Sequence, residues 1–277
     1  MKKLTALMLS SAMMLSLAAC GGSASTETVS SEAASSEAVS TEEAASADAA
    51  AVTTVNAGKL TMSTNAAFPP YEMTTDAGDF EGIDIEVAGA IAKKLGLELQ
   101  VDDMDFDAAL LATQSGKSDM VMAGVTVTDE RQKVMDFSDT YAEGIQSIIV
   151  PEGSDIATAD DLSGKAIGTQ RGTTGYIYCT DDFGEENVIA YDDGLTAVQA
   201  LNNGQVDAVV IDNAPAKEFV EANPGLKILD TAYAQEDYAI GVAKGNTQLL
   251  DAINGALEEL QADGTLQAIV DKYINAE

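Results

Sequence analysis

The chain contains no histidine, no tryptophan and only two cysteines among its 277 residues. Because histidine is absent, the chain cannot form a Ser-His-Asp or Cys-His catalytic arrangement, and it has no imidazole metal ligand. The two cysteines, Cys20 and Cys179, show no metal-ligand spacing. Much enzyme chemistry is therefore excluded, and the sequence predicts neither a metal site nor a cofactor.

Positive charge is also scarce, since 14 lysine and arginine residues stand against 46 aspartate and glutamate residues, for a net charge of -32. Such a chain lacks the basic surface that phosphate backbones require, so nucleic acid is excluded as a partner. The acidic residues are spread along the chain, and we interpret them mainly as a source of solubility.

The first twenty residues have the pattern of a secretion signal. Lys2 and Lys3 precede an apolar run, Leu4 to Ala19, that is too short for a membrane-spanning helix. The run ends in Leu17-Ala18-Ala19-Cys20-Gly21, which resembles the bacterial lipobox. We therefore expect Cys20 to be the lipidated first residue of an exported lipoprotein, held on the outer face of the cell membrane by lipid alone. A plain signal peptide with an incidental cysteine is the alternative.

Composition changes after the signal peptide. Residues 21–52 are rich in serine, alanine, threonine and glutamate and contain no aromatic residue, lysine or arginine. Such a segment cannot bury enough apolar surface to offset its ordering entropy, so we predict a disordered acidic tether, with a weak alanine-rich helix as the alternative. The remaining residues, 53–277, are numerous enough for one large domain or two lobes.

Strand and helix patterns alternate along this globular part, which predicts an α/β fold with a mostly parallel sheet. The predicted strands are Leu60–Ser63, Leu97–Val101, Asp119–Ala123, Gln146–Val150, Lys165–Gln170, Asn187–Ala190, Val206–Ile211, Leu226–Leu229 and Tyr238–Ala243. The predicted helices are Asp84–Leu95, Phe106–Gln114, Thr173–Cys179, Leu195–Asn203, Asn213–Ala222, Thr247–Ala262 and Leu266–Ile274. The rhythm restarts after Pro151, which indicates a second α/β unit.

Arg131 is the first candidate binding residue. It follows a predicted strand, and Thr128 has the position of an N-cap for a short helix that contains it. Arginine is a permanently charged planar fork that suits a carboxylate, and the hydroxyl of Thr126 could add a further donor. The alternative is that Arg131 pairs on the surface with one of three neighbouring acids, Glu130, Asp129 or Asp136.

Several ordered segments together resemble one family. The globular part is similar to the polar-amino-acid branch of the bacterial extracellular solute-binding proteins over nearly all of its length. The matching segments are Phe68-Pro69-Pro70-Tyr71, Gly82-Ile83-Asp84-Ile85-Glu86-Val87 with Ile91-Ala92 and Leu95, Gly124-Val125-Thr126-Val127-Thr128-Asp129-Glu130-Arg131, Asp136-Phe137-Ser138-Asp139, and Asp263-Gly264-Thr265.

The resemblance implies a two-lobed, periplasmic-binding-protein-like α/β fold with two hinge crossings, near Tyr141–Ile145 and Gln235–Tyr238. Gly144 is the best local candidate for a hinge residue. Lobe 1 would then comprise residues 53–142 and 237–277, and lobe 2 residues 143–236.

The resemblance also implies the roles of individual residues in a cleft between the lobes. Arg131 and Thr126 match the residues that bind the α-carboxylate of the ligand, and Thr173 and Thr174, which follow Gly172, match the donor from lobe 2. Asp212 matches the acid that receives the ammonium group of the ligand. Phe68 and Phe106 match the aromatic residues that enclose the ligand's side chain. Without the resemblance, the two threonines and Asp212 are helix N-caps and the two phenylalanines are core residues.

Two positions bear on specificity. Asn65 stands where several basic-amino-acid binders have aspartate, and Ala123-Gly124 stands where some have two serines. These departures favour a neutral polar amino acid. Four residues near the matched segments could supply side-chain contacts: Gln170, Arg171, Glu236 and Asp237. Because two of them are acidic, a ligand with a cationic side chain is the alternative.

We therefore predict a non-catalytic, monomeric receptor that binds an α-amino acid outside the cell and delivers it to the permease of an ABC importer. Two alternatives follow from the same resemblance. A few members of the family are amino-acid dehydratases, so the fold alone does not exclude catalysis. An extracytoplasmic amino-acid sensor module is the other.

Overall fold

The computed structural model describes residues 52–274. The predicted signal peptide, the lipidated Cys20 and the tether up to residue 51 lie outside the described residues. Val52, which the prediction assigned to the tether, lies inside them and packs against the largest core cluster. Within the described residues, no helix is long and apolar enough to cross a membrane.

The described chain alternates strands and helices. The strands are β1 (Lys59–Thr64), β2 (Ala67–Phe68), β3 (Glu72–Thr74), β4 (Phe80–Glu81), β5 (Glu98–Asp103), β6 (Met120–Val121), β7 (Met135–Pro151), β8 (Ile167–Gln170), β9 (Val188–Tyr191), β10 (Ala208–Asp212), β11 (Leu226–Ile228) and β12 (Ala234–Ala243). The helices are α1 (Ile83–Lys94), α2 (Phe106–Gln114), α3 (Asp129–Gln132), α4 (Thr174–Phe183), α5 (Gly194–Asn202), α6 (Asn213–Ala222), α7 (Thr247–Ala262) and α8 (Thr265–Tyr273).

One large mixed sheet runs through the molecule in the order β5-β1-β6-β12-β7-β10-β8-β9, and β11 pairs with β7. Strands β1, β5 and β6 are parallel to one another, as are β8, β9 and β10. The two long strands between these groups, β7 and β12, pair antiparallel. The prediction of a mostly parallel sheet therefore holds within each group and is wrong at the centre, because β7 and β12 cross the molecule in opposite directions.

The apolar core is divided in the same way, which gives the fold two lobes. One large cluster joins β1, α1, β6, α7 and α8, and a smaller one lies between α2, β6 and the start of β7. Two further clusters are built from the end of β7 and the elements from β8 to β11. Residues from the end of the chain thus return to the first lobe, as the two-lobed fold requires.

The predicted hinge crossings lie side by side in the sheet. Gln235 is paired with Ile145 and Tyr238 with Ala142, so β7 and β12 form a two-stranded bridge between the lobes. Gly144 lies in this bridge, and a Cβ atom there would lie only 2.5 Å from the ring of Tyr238. Glycine is needed at this position for a steric reason, because the tyrosine ring packs on it.

Candidate functional site

A cavity lies between the lobes, at the carboxyl ends of several parallel strands. Asn65 follows β1, Gly124 follows β6, Gln170 ends β8 and Asp212 ends β10. This is the edge at which open α/β sheets bind ligands. All ten residues predicted for the site line the cavity: Asn65, Phe68, Phe106, Ala123, Gly124, Thr126, Arg131, Thr173, Thr174 and Asp212.

Arg131 is buried in the wall of this cavity, with 8 % of its surface exposed. The predicted N-cap is present, because Thr128 Oγ1 accepts a hydrogen bond of 3.2 Å from the Arg131 amide. Surface pairing is the wrong interpretation, since Glu130 pairs with Lys133 and Asp136 with Lys244.

The guanidinium of Arg131 reaches both lobes. Nη1 donates to Thr126 O at 2.8 Å, and Nη2 donates to Gly172 O at 3.1 Å. The group also lies 5.4 Å from the ring centroid of Phe106. A guanidinium has five N–H donors, so these two bonds leave donors free for an anion in the cavity. Burial lowers the pKa of Arg131 and the charge of Glu236 opposes that shift, but an arginine stays charged in either case.

The Thr126 hydroxyl is bonded to a buried acid behind the cavity wall. Its proton is donated to Glu236 Oε2 at 3.1 Å, and its oxygen lies 3.4 Å from Thr174 Oγ1. Gln146 Nε2 donates to the same carboxylate oxygen at 2.9 Å. Because its proton is engaged by Glu236, the Thr126 hydroxyl presents acceptor lone pairs to the cavity in this arrangement.

Asp212 serves both as a helix cap and as a wall of the cavity. Its Oδ1 accepts from Ala214 N at 2.9 Å, which caps α6, and its Oδ2 accepts from Ile145 N at 2.8 Å in the first crossing. Burial raises the pKa of Asp212 to about 6, although these two hydrogen bonds and one from Tyr238 favour the charged form. A cation beside this carboxylate would relieve the cost of its burial.

The start of α4 forms the opposite wall in the second lobe. Thr173 caps the helix, since its hydroxyl accepts from Tyr176 N at 3.3 Å and donates to Gln170 O at 2.8 Å. Thr174 is buried in the first turn of the same helix. A helix N-terminus with unpaired backbone N–H groups favours an anion, so the cap and the predicted anion contact are compatible.

Packing explains the two positions that had favoured a neutral ligand. Asn65 bridges the lobes, because Nδ2 donates to Met104 O at 3.0 Å and Oδ1 accepts from Gln170 Nε2 at 2.8 Å. Gly124 has a φ of 53°, and a Cβ atom there would lie 2.9 Å from the ring of Phe68. Both residues are thus required by their neighbours.

Sequence reasoning missed five residues that line the cavity: Glu72, Gln146, Val210, Ile211 and Tyr238. Glu72 is the chemically important one, because it is 1 % exposed and neither of its carboxyl oxygens has a hydrogen-bond partner. It is the cross-strand partner of Phe68 in the β2-β3 hairpin. The two prolines of Phe68-Pro69-Pro70-Tyr71 are typical of a turn, so the pairing of Phe68 with Glu72 could have been predicted from the sequence.

Of the four residues named near the cleft, only Gln170 lines the cavity. Glu236 lies buried behind Thr126. Arg171 is exposed and pairs with Asp192, and Asp237 is exposed. The described residues contain no group of three acidic or cysteine side chains that could hold a metal ion.

Fold and cavity together define a two-lobed α/β binding protein with an interlobe site of mixed charge. Residues 60–276 match the model of the bacterial extracellular solute-binding proteins, family 3, and the chain belongs to that family. The L-cystine-binding protein TcyJ of Escherichia coli (strain K12) is 35 % identical over 224 residues, which cover 79 % of this chain and 84 % of the relative.

Solved structures agree with the fold. An ancestral arginine-binding protein bound to glutamine superposes with a TM-score of 0.76 at 44 % identity, covering 79 % of this chain and 99 % of the other. The arginine-, lysine-, histidine-binding protein ArtJ from the thermophilic bacterium Geobacillus stearothermophilus gives a TM-score of 0.75 at 34 % identity, covering 79 % and 96 %. The predicted family and two-lobed fold are thereby confirmed, and the relatives are amino-acid-binding transport proteins.

Proposed function

We propose that this chain is a receptor for an α-amino acid with a cationic side chain, which it binds outside the cytoplasmic membrane and delivers to the permease of an ABC importer. The observation that carries the proposal is the charge pattern of the interlobe cavity. One end holds Arg131 and the start of α4, and the remaining walls hold the buried carboxyls of Asp212 and Glu72.

The α-carboxylate and α-ammonium groups of the ligand fit the groups at hand. Arg131 retains free guanidinium donors for the carboxylate, and Thr174 adds the first turn of α4. Asp212 and the acceptor lone pairs of the Thr126 hydroxyl suit the ammonium group. The α-carboxylate and the α-ammonium group thus each meet opposite charge or complementary hydrogen-bonding groups.

The choice of a cationic side chain rests on Glu72. A buried carboxyl without a hydrogen-bond partner is costly, and a guanidinium or ammonium group would supply the missing donors. The departures at Asn65 and Gly124 do not oppose a cation, since contacts with Gln170 and Phe68 account for them. The solved relative ArtJ, described as binding arginine, lysine and histidine, supports the same class.

A thermal-shift screen of the twenty amino acids tests the ligand class, and calorimetry with arginine and its neutral isostere citrulline tests the role of Glu72. We expect arginine to bind more tightly than citrulline. Glu72→Gln should remove this preference, and the exposed Glu81→Gln should preserve it. Equal affinities for the two ligands in the wild-type protein would reject a cationic ligand while leaving an amino-acid receptor intact.

Closure of the lobes is part of the proposal. The ligand would contact Arg131 from lobe 1 and Thr174 and Asp212 from lobe 2, so binding and closure are linked. Small-angle scattering should show a monomer whose radius of gyration falls when the ligand is added. A stabilising amino acid that left the scattering curve unchanged would exclude this mechanism.

We further propose that lipid on Cys20 anchors the receptor and that it has no catalytic activity. Cys20→Ala should release the protein from the membrane fraction, because the acyl chains are its only proposed anchor. Prolonged incubation with prephenate or arogenate should leave both unchanged, whereas turnover would favour the dehydratase alternative.

A further inference from the structure

Two buried carboxyl groups lie together at one wall of the cavity. Glu72 on β3 lines the cavity. Asp84, in the first turn of α1, lies beside this segment, because its amide donates to Tyr71 O at 2.8 Å. Their exposed fractions are 1 % and 0 %. Three of their four carboxyl oxygens have no hydrogen-bond donor: Glu72 Oε1, Glu72 Oε2 and Asp84 Oδ1. Such a cluster is costly unless something positive lies within it.

The fourth oxygen identifies which acid carries the charge. Asp84 Oδ2 accepts from Gly124 N at 2.9 Å and from Tyr141 Oη at 2.8 Å. Two donors on one oxygen stabilise the ionised form of Asp84, whereas Glu72 has none. A single proton on Glu72, donated to Asp84 Oδ1, would give two of the three unpaired oxygens a partner.

Among residues 52–274, no lysine or arginine is one of the groups that act most strongly on the pair. The titratable groups that act on it are Tyr71 beside Glu72, Asp103 on β5 and Tyr141 on β7. Arg131 lines the same cavity, but its guanidinium donates to Thr126 O and Gly172 O. On α8, Lys272 is engaged with Glu86 at the surface. A proton or a ligand cation is therefore what can neutralise Glu72.

We propose that Glu72 and Asp84 share one proton in the ligand-free protein, and that the cationic side chain of a bound amino acid takes the place of this proton. The proposal rests on the proposed cationic ligand. The neutral carboxyl of Glu72 loses its proton to solvent, and the resulting carboxylate accepts N–H donors from the ligand. Glu72, Asp84 and the shared proton have a net charge of minus one, and the two carboxylates with the ligand cation also have a net charge of minus one. The pair is therefore never left as two carboxylates without a positive partner.

The protonation behaviour of the two acids agrees with this exchange. Burial, together with the neighbouring Asp84, raises the pKa of Glu72 well above its usual range. Burial raises the pKa of Asp84 to about 6, while its hydrogen bonds favour the charged form. A neutral ligand would leave the proton in place between the two carboxyl groups. The pair would thus distinguish basic from neutral amino acids by proton release.

Calorimetry in buffers of different ionisation enthalpy measures the number of protons released. At about pH 7.5 we expect arginine to release close to one proton and citrulline close to none. Asp212, with a pKa of about 6, is only about 3 % protonated at that pH, so its contribution is small. Arginine binding without proton release would overturn the proposal, and failure of arginine to bind would reject the cationic ligand instead.

Variants and a second readout keep the test decisive. Glu72→Gln should abolish proton release, because it removes the group that carries the exchanged proton. Glu81→Gln, an exposed acid on β4, should leave it unchanged. Infrared spectra of the ligand-free protein should contain the carbonyl band of a neutral carboxylic acid that Glu72→Gln removes. Absence of this band from the wild type would refute the shared proton whether or not arginine binds.

Discussion

Asp84→Asn should stabilise the ligand-free protein at alkaline pH. Burial raises the pKa of Asp84 from its ordinary value to about 6, so between pH 4 and pH 6 the native state binds more protons than the unfolded state. Stability conferred by this group is therefore present at low pH and is lost as pH rises through the folded pKa. Asparagine removes the ionisation and keeps an oxygen for the donors of Gly124 and Tyr141.

The size of the effect follows from the shift. A rise of about two pKa units corresponds to about 3 kcal/mol of ionisation cost at pH 8, where Asp84 is fully charged in both states. One amide N–H of the new asparagine can donate to Glu72, and the other lacks a partner at a cost of about 1 kcal/mol. The net gain is about 2 kcal/mol, or about 4 to 8 °C in melting temperature for a domain of this size.

Scanning calorimetry of wild type and Asp84→Asn at pH 8 and pH 5 provides the measurement. At pH 5 about half of the ionisation cost remains, so the net gain should fall to about 0.5 kcal/mol. Glu86→Gln, a substitution two residues further along α1 that removes an exposed ion pair with Lys272, is the control and should bring no gain. A variant less stable than wild type at pH 8, or a gain independent of pH, would refute the reasoning.

Three further predictions follow from particular contacts. Arg131→Ala should weaken amino-acid binding tens- to thousands-fold by calorimetry, as expected for about 2 to 5 kcal/mol when one partner of a buried charge pair is truncated. Arg131→Lys should also bind poorly, because one ammonium group cannot replace the guanidinium contacts with both lobes. Gly144→Ala should lower the melting temperature because its Cβ would meet the ring of Tyr238, whereas Gly153→Ala has open space and should not. Deleting Ser23–Ala51 should change neither ligand affinity nor melting temperature, and a large drop would contradict the prediction of a tether.

Regular patterns in the sequence were enough to find most of the helices. Three helices were predicted at their observed bounds, Phe106–Gln114, Asn213–Ala222 and Thr247–Ala262, because each has a defined apolar stripe. The strand predicted at Gln146–Val150 is the end of a much longer strand that begins at Met135. Its first half carries several acidic residues and is ordered by pairing with β12, so local composition gave no sign of it.

Some residues of the candidate site could be predicted from their position in the sequence, and others could not. Arg131 and Asp212 stand at ends of strands or starts of helices, where position alone suggests a ligand contact. Glu72 does not, since an acid in a short strand is normally exposed. Its burial depends on α1 and on Asp84, which are brought against it only by the tertiary fold. Interactions of this kind are not encoded in a local pattern.

The charges of the cavity support one kind of ligand over others. Arg131 and Glu236 act on each other in the wall, which leaves Asp212 and the Glu72-Asp84 pair as negative groups without a cation of their own. A neutral amino acid brings one positive group and satisfies Asp212 alone. An amino acid with a cationic side chain brings two, and the second can reach the remaining pair only by displacing its proton. Affinity for a basic ligand should therefore fall as pH is lowered, and that for a neutral ligand should fall less, since both depend on the charge of Asp212 but only the first competes with the proton on Glu72.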